Sequence, residues 1–164
     1  MKKILLELKD YIIIIITVLL IRTFIITPAI VDGDSMDNTL ADGQLVMINK
    51  LVYKLSDIER LDIVVINNEE DNDRIIKRII GLPEETIKYE NNKLYINGKE
   101  LVTDIKFEYT NDFEVKTGKD EYFVLGDNRD ISKDSRILGN FSKEDIVGRV
   151  TLRLFPFNKI GFVK

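Results

Sequence analysis

Hydrophobic and polar positions divide the chain into two textures. From Ile4 to Thr27 it reads ILLELKDYIIIIITVLLIRTFIIT, with an uncharged run from Tyr11 to Ile21. As a helix this stretch rises about 35 Å at about 1.5 Å per residue, against about 30 Å of bilayer hydrocarbon. The uncharged run is shorter than an ideal span, so Lys9, Asp10 and Arg22 are expected to reach toward headgroups. Lys2, Lys3 and Lys9 precede the run, which places the N-terminus in the cytoplasm and everything after Pro28 outside. A cleaved leader would carry a shorter apolar run and a small-x-small site, and only Ala29 follows, poorly placed. A buried helix of a soluble domain is the other reading, and five consecutive isoleucines fit it badly.

After Pro28 short apolar runs alternate with turn residues. QLVMIN (44–49), DIVVI (62–66), RIIKRII (74–80), KLYI (93–96), EYFVLG (121–126) and RVTLRLF (149–155) have the length and β-branched content of strands. Asn97-Gly98 is a hairpin signal, because both turn positions call for positive φ. The pattern predicts a mainly β fold: an N-terminal transmembrane helix, then an antiparallel β-sheet domain with a small β-hairpin lobe. The expected division is 1–27 as cytoplasmic start and anchor and 28–164 as an extracytoplasmic domain. The charged stretch 84–120 is the smaller hairpin lobe.

Composition narrows the chemistry. The 164 residues include no histidine and no cysteine, and the net charge is −4. Disulfides, thiolate zinc sites and thiol catalysis are excluded. No clustered basic face points to nucleic acid. Any nucleophile is therefore a hydroxyl, a lysine or a carboxylate, and any base is not imidazole.

Ser35, in VDGDSMDNTL (31–40), is on its own an ordinary turn serine. RIIKRII changes its weight. Strand alternation puts Ile75, Lys77 and Ile79 on one face and Ile76, Arg78 and Ile80 on the other, so at least one cation lies against an apolar surface. The bland account is an edge strand whose long side chains reach water. Arginine cannot be deprotonated in a protein, whereas a desolvated lysine can lose its proton near neutral pH. A neutral Lys77 amine within reach of a serine hydroxyl would be a general base. LGDNRDISKDSR (125–136) reads as a solvated loop or a calcium loop. Ser135 stands where an EF-hand needs glycine and Phe141 where it needs glutamate, which rejects the second. EEDND (69–73) fails the same test at Arg74 and reads as a solvated turn.

An apolar anchor with its trailing Arg22, then GDSMDNTL, RLDIVVI, IKRIIGLP, LGDNRDISKDSR and FSKEDIVGRVTLRLFPFNKIGF, in that order, resembles the bacterial type I signal peptidases over nearly the whole chain. The resemblance implies Ser35 as nucleophile and Lys77 as general base, with Ser132 hydrogen-bonding the lysine amine. It implies an Asp134–Arg136 ion pair bracing the loop, supported by Asp127 and Arg129. Met36 and Thr39 would shape the nucleophile loop and substrate pocket, and the Ser35 N–H would hold the oxyanion. Some relatives add a hydroxyl two residues before the nucleophile, where this chain has Gly33.

The implied activity is removal of signal peptides from exported pre-proteins by serine–lysine acyl transfer, cutting after small residues in an Ala-x-Ala pattern. No metal or organic cofactor is implied. Expected partners are signal-peptide-bearing pre-proteins, membrane lipid and the secretion translocon, with no nucleic acid. Two departures from the family pattern stand out: Asn38 where proline is usual, expected to loosen the loop, and Glu84-Glu85 where Gly-Asp is usual, expected to reshape the following hairpin. The rival reading is a catalytically impaired or non-enzymatic membrane-anchored β-domain that binds envelope proteins. Self-cleaving repressors share the serine–lysine chemistry but need a DNA-binding module in place of the anchor. Paired Asp-Thr/Ser-Gly motifs of aspartic proteases are absent.

Overall fold

In the computed structural model, described for residues 2–69, 71–105 and 109–163 with side chains from Leu8 onward, strands dominate. Glu70 in the EEDND turn and residues 106–108 in the charged lobe lie outside the described residues. One long helix, α1 (Lys2–Phe24), leads into β1 (Ile26–Ile30) and β2 (Leu45–Asn49). A short α2 (Val52–Leu55) precedes β3 (Ile63–Asn68) and β4 (Asp73–Gly81). Next come β5 (Thr86–Glu90), β6 (Lys93–Ile96), β7 (Lys99–Glu100), β8 (Phe113–Lys116) and β9 (Glu121–Leu125). The chain closes with α3 (Ser135–Leu138), β10 (Phe141–Ser142), β11 (Ile146–Phe155) and β12 (Gly161–Phe162).

Two antiparallel sheets result. The larger runs β1-β2-β11-β3-β4-β9-β10, with β12 on β11; the smaller runs β7-β6-β5-β8. Their cores explain the order. Met36, Leu40, Val46, Ile48, Ile63, Val65 and Val150 pack under the loop that carries Ser35. Val64, Ile66, Ile79, Val124 and Phe141 fill a second cluster with Ile75 packed against it. Ile80, Phe123 and Leu125 of the larger sheet meet Ile87, Tyr89 and Leu94 of the smaller one, which fixes the two sheets together. Each such side chain contributes about 1.5–3 kcal/mol when fully buried.

Strand β4 follows the expected alternation through Ile79, with Ile75 and Ile79 facing the second cluster and Ile76 the first. Beyond it, an irregularity against β9 between Ile79 and Gly81 turns Ile80 toward the third cluster. Both cations of RIIKRII are buried, Lys77 at 3% and Arg78 at 0% exposure. Pairing with β9 begins at Arg78, so Asp73–Lys77 keep a free edge.

Among the described residues no helix is long and apolar enough to cross a membrane. The apolar side chains of α1 from Leu8 to Ile21 are nonetheless exposed on every face.

Both unusual positions take left-handed backbone. Asn38 has φ +87°, a value closed to proline, so it makes a left-handed turn that proline could not adopt. Glu84 likewise stands at φ +61°, keeping a left-handed backbone without glycine. Glu85 then receives bidentate bonds from Arg60 at 2.8 and 2.5 Å and accepts from the Leu82 N–H at 2.7 Å. Asn97 and Gly98 turn β6 into β7 at φ 49° and 77°. Glu84→Gly is expected to stabilise the fold by about 1 kcal/mol, because glycine relieves the Cβ clash of the left-handed region. Chemical denaturation of the two proteins checks this, and an equal or lower midpoint for the variant contradicts it.

Candidate active site

The Ser35 loop is a closed excursion between β1 and β2. Val31 N–H donates to the Gln44 carbonyl at 2.8 Å and Gly43 N–H to the Val31 carbonyl at 2.9 Å. Gly33, at φ +86°, donates its N–H to Asp42 Oδ1 at 2.8 Å. Buried Met36 and Leu40 pin the loop to the first core cluster, so Ser35 sits on a packed turn.

The structure brings Lys77 to that turn. Its Nζ lies 2.7 Å from Ser35 Oγ and 3.0 Å from the Ile76 carbonyl. Burial pushes the amine from its ordinary 10.5 down to about 8, while the carboxylates of Asp134, Asp73 and Asp127 pull the other way. Desolvation is the largest effect, and two of those acids, Asp127 and Asp134, are paired with arginines.

Asp127 is gripped by the neighbour of the lysine. Arg78 donates to it through Nε at 2.8 Å and Nη2 at 2.6 Å. The Thr39 hydroxyl also donates to this carboxylate, and Arg78 reaches the Leu61 carbonyl at 2.9 Å. Asp134 accepts a fork from Arg136, Nε to Oδ1 and Nη2 to Oδ2, each 2.8 Å, and the Gly126 N–H at 3.0 Å. Arg136 also donates to the Thr110 hydroxyl beside the smaller sheet at 2.6 Å. Arg129 Nε donates to the Gly126 carbonyl at 2.9 Å.

One expected arrangement differs. Ser132 is 4% exposed, yet its hydroxyl has no hydrogen-bond partner among the described residues, so it does not bond the lysine amine here. The amine's bonds go to Ser35 and the Ile76 carbonyl instead. Asp127 has its ion pair with Arg78, 2.6 Å apart.

Gly126 and Asn128 were not anticipated. A Cβ at Gly126 would stand 2.2 Å from Ser132 Oγ and 2.5 Å from the Ser35 carbonyl, so only glycine permits this approach. Asn128 N–H then donates to the Ser35 carbonyl at 3.1 Å. The sequence signal for both was present in LGDN, read only as part of a motif.

A groove of about 290 Å³ opens at this point. Thr27–Gly33 form one wall and Asp73–Lys77 the other, with Met36, Ile48 and Val65 as floor. β1 ends the sheet order and β4 lacks a β9 partner along this half, so two strand edges face the groove. Among the described residues no cluster of acidic side chains could hold a metal ion.

Known proteins match this chain in sequence and fold. The family model described as signal peptidase, peptidase S26, matches residues 5–155. A signal peptidase I P of Bacillus subtilis subsp. natto is 43% identical, over 95% of this chain and 91% of its own. A signal peptidase IB of Staphylococcus aureus (strain MRSA252) is 37% identical, over 87% and 85%. The crystal structure of a signal peptidase I from Enterococcus faecalis V583 superposes with a TM-score of 0.55 at 36% identity, covering 58% of this chain and 98% of that one. The chain is thus a serine peptidase, a hydrolase, and it belongs to the signal peptidase S26 family.

Two stability tests follow from this geometry. Asp127→Asn leaves a buried Arg78 charge uncompensated, and denaturation should show a loss of about 3–5 kcal/mol. Lys77 behaves in the opposite sense. Its folded value near 8 lies below the unfolded 10.5, so the penalty of burying it is largest below pH 8. It fades as pH rises to 10.5, by about 1.4 kcal/mol per pH unit. Lys77→Met is therefore expected to be more stable than the native chain at pH 7, with the gap closing toward pH 10.5. A gap that stays constant across that window contradicts a desolvated amine.

Proposed function

We infer that the chain is a membrane-anchored endopeptidase that removes signal peptides from exported pre-proteins. The observation that carries this reading is the 2.7 Å approach of a 3%-exposed lysine amine to the Ser35 hydroxyl. Ser35 attacks the scissile carbonyl while neutral Lys77 takes its proton. The Ser35 N–H has no partner among the described residues and serves as an oxyanion donor. Lys77 protonates the leaving amine, and water activated by the same amine then hydrolyses the ester.

The remaining residues act by placement. Asp134, Arg136, Asp127 and Arg129 hold the 125–136 loop against the Ser35 loop, Thr39 ties the turn to Asp127, and Ser132 closes the site beside Gly126. Met36 supplies floor. An extended peptide laid between β1 and β4 would find backbone partners on both edges. Its alternate side chains would enter a shallow apolar floor, which suits small residues such as alanine in an Ala-x-Ala pattern. No cofactor enters the reaction.

The exposed apolar faces of α1 support insertion in lipid, with the N-terminus cytoplasmic and the sheets outside. The groove wall begins at Thr27, three residues past the helix end, so the site lies near the membrane surface, within reach of pre-proteins and the translocon.

With a fluorogenic Ala-x-Ala peptide in detergent, Ser35→Ala and Lys77→Met should each lower turnover by about 10³ or more while circular dichroism stays native. For the native chain, turnover should rise tenfold per pH unit below about 8 and level off above it, since the unprotonated amine is the active form. Native-like turnover in either variant, or a flat profile from pH 6 to 9, sinks the assignment.

A further inference from the structure

Strand β1 ends at Ile30, yet its ladder runs on toward Ser35. Val31 still pairs like a strand residue. Its N–H donates to the Gln44 carbonyl at 2.8 Å, and its carbonyl accepts from the Gly43 N–H at 2.9 Å. In an antiparallel ladder, a residue that spends both groups on one side leaves the next residue's groups facing the other way. The N–H and carbonyl of Asp32 are therefore turned to the open side of β1, where Asp32 lines the groove. Among the described residues neither group has a hydrogen-bond partner.

At Gly33 the alternation calls for another inward bond, but the returning chain turns at Asp42 and Gly43 and offers no backbone there. A side chain supplies it instead. The Gly33 N–H donates to Asp42 Oδ1 at 2.8 Å. A trans peptide holds its N–H and carbonyl on opposite sides, so drawing the Gly33 N–H inward sets the Asp32 carbonyl outward. Little else restrains this peptide. Gly33 stands at φ +86°, and no atom lies within 4 Å of the place a Cβ would take. Glycine passes between left- and right-handed backbone at little cost. Released from Asp42, the 32–33 peptide is free to turn over and show the groove a donor where it now shows an acceptor.

We propose that Asp42 is a positioning residue for the substrate: its carboxylate stands in for a missing strand and keeps the Asp32 carbonyl aimed into the groove, where it accepts a backbone N–H just upstream of the scissile bond. Asp42 does not line the groove, and among the described residues its carboxylate bonds Gly33 alone, so it acts only through that peptide. What is read is a backbone amide, common to every peptide sequence, which suits a site that takes many substrates. The proposal rests on the peptidase reading and adds how the groove grips its substrate's backbone.

The test uses an Ala-x-Ala peptide in which each of the three amides upstream of the cut is replaced in turn by an ester, which deletes the N–H and keeps the side chain. Binding of the labelled peptides to the full chain carrying Ser35→Ala is followed in detergent by fluorescence anisotropy. One ester should bind about fivefold more weakly than the amide parent, the effect of about one hydrogen bond. With Asp42→Ala added, the amide parent should weaken about fivefold, and that same ester should lose nothing further. A merely structural loss would weaken amide and ester alike. Asp42→Asn keeps an acceptor oxygen and should restore both the affinity and the ester penalty. The proposal is overturned if no ester weakens binding, if the penalty survives Asp42→Ala, or if Asp42→Asn behaves as Asp42→Ala. A native chain that binds the amide parent and leaves it uncut overturns the peptidase reading instead, and these binding ratios still decide the role of Asp42.

Discussion

An amine buried without a carboxylate is the constraint around which this molecule is built. Lys77 and Arg78 are adjacent on one strand, both sealed from water, and they are treated in opposite ways. Arg78 receives a full counter-ion in Asp127, a pair 2.6 Å apart. Lys77 receives a hydroxyl and a backbone carbonyl. Three acids are close enough to pull on the amine, and two of them are already held by guanidinium groups: Asp127 by Arg78, Asp134 by Arg136. The arginines thus do more than brace loops. By engaging the acids they let desolvation outweigh attraction, and the amine settles near 8 rather than above its ordinary value.

The same groups fix the hydroxyl. Asp127 accepts from Thr39 at one end of the Ser35 turn, and Asn128, the next residue, donates to the Ser35 carbonyl. Gly126 allows both by letting two backbones meet where a methyl group would collide. Arg153 holds Thr39 from behind. A turn tied from three sides has little freedom left to lose, which is the physical content of preorganisation.

Legibility from sequence followed the range of each signal. Short β-branched runs such as DIVVI and RIIKRII and the Asn97-Gly98 turn are local, and their strands and hairpin formed where expected. The approach of Lys77 to Ser35 joins residues 42 apart, and alternation alone could say only that a cation met an apolar face. The family order made the pairing readable. The counter-ion of Arg78 is 49 residues away, and no local pattern announces it. Ser132 is expected on the amine, but its hydroxyl packs against Gly126 and has no partner among the described residues. The left-handed backbone at Asn38 has no local signal beyond the tolerance of asparagine for positive φ.

The groove adds a last consequence of the buried amine. Its two walls are strand edges, β1 and the first half of β4, with no strand between them. Unpaired edges on a long sheet invite association, and proteins usually cover or charge them. Here Asp32, Asp73 and Arg74 stand on the groove walls, charged side chains that discourage another sheet from docking broadside. A single extended peptide is narrow enough to enter between them and satisfy both edges. In doing so it also displaces water from the side of Ser35 that the protein leaves open. The open groove and the buried amine are thus compatible: the strand edges stay free for a peptide while Lys77, 3% exposed, is already kept from water by the protein itself.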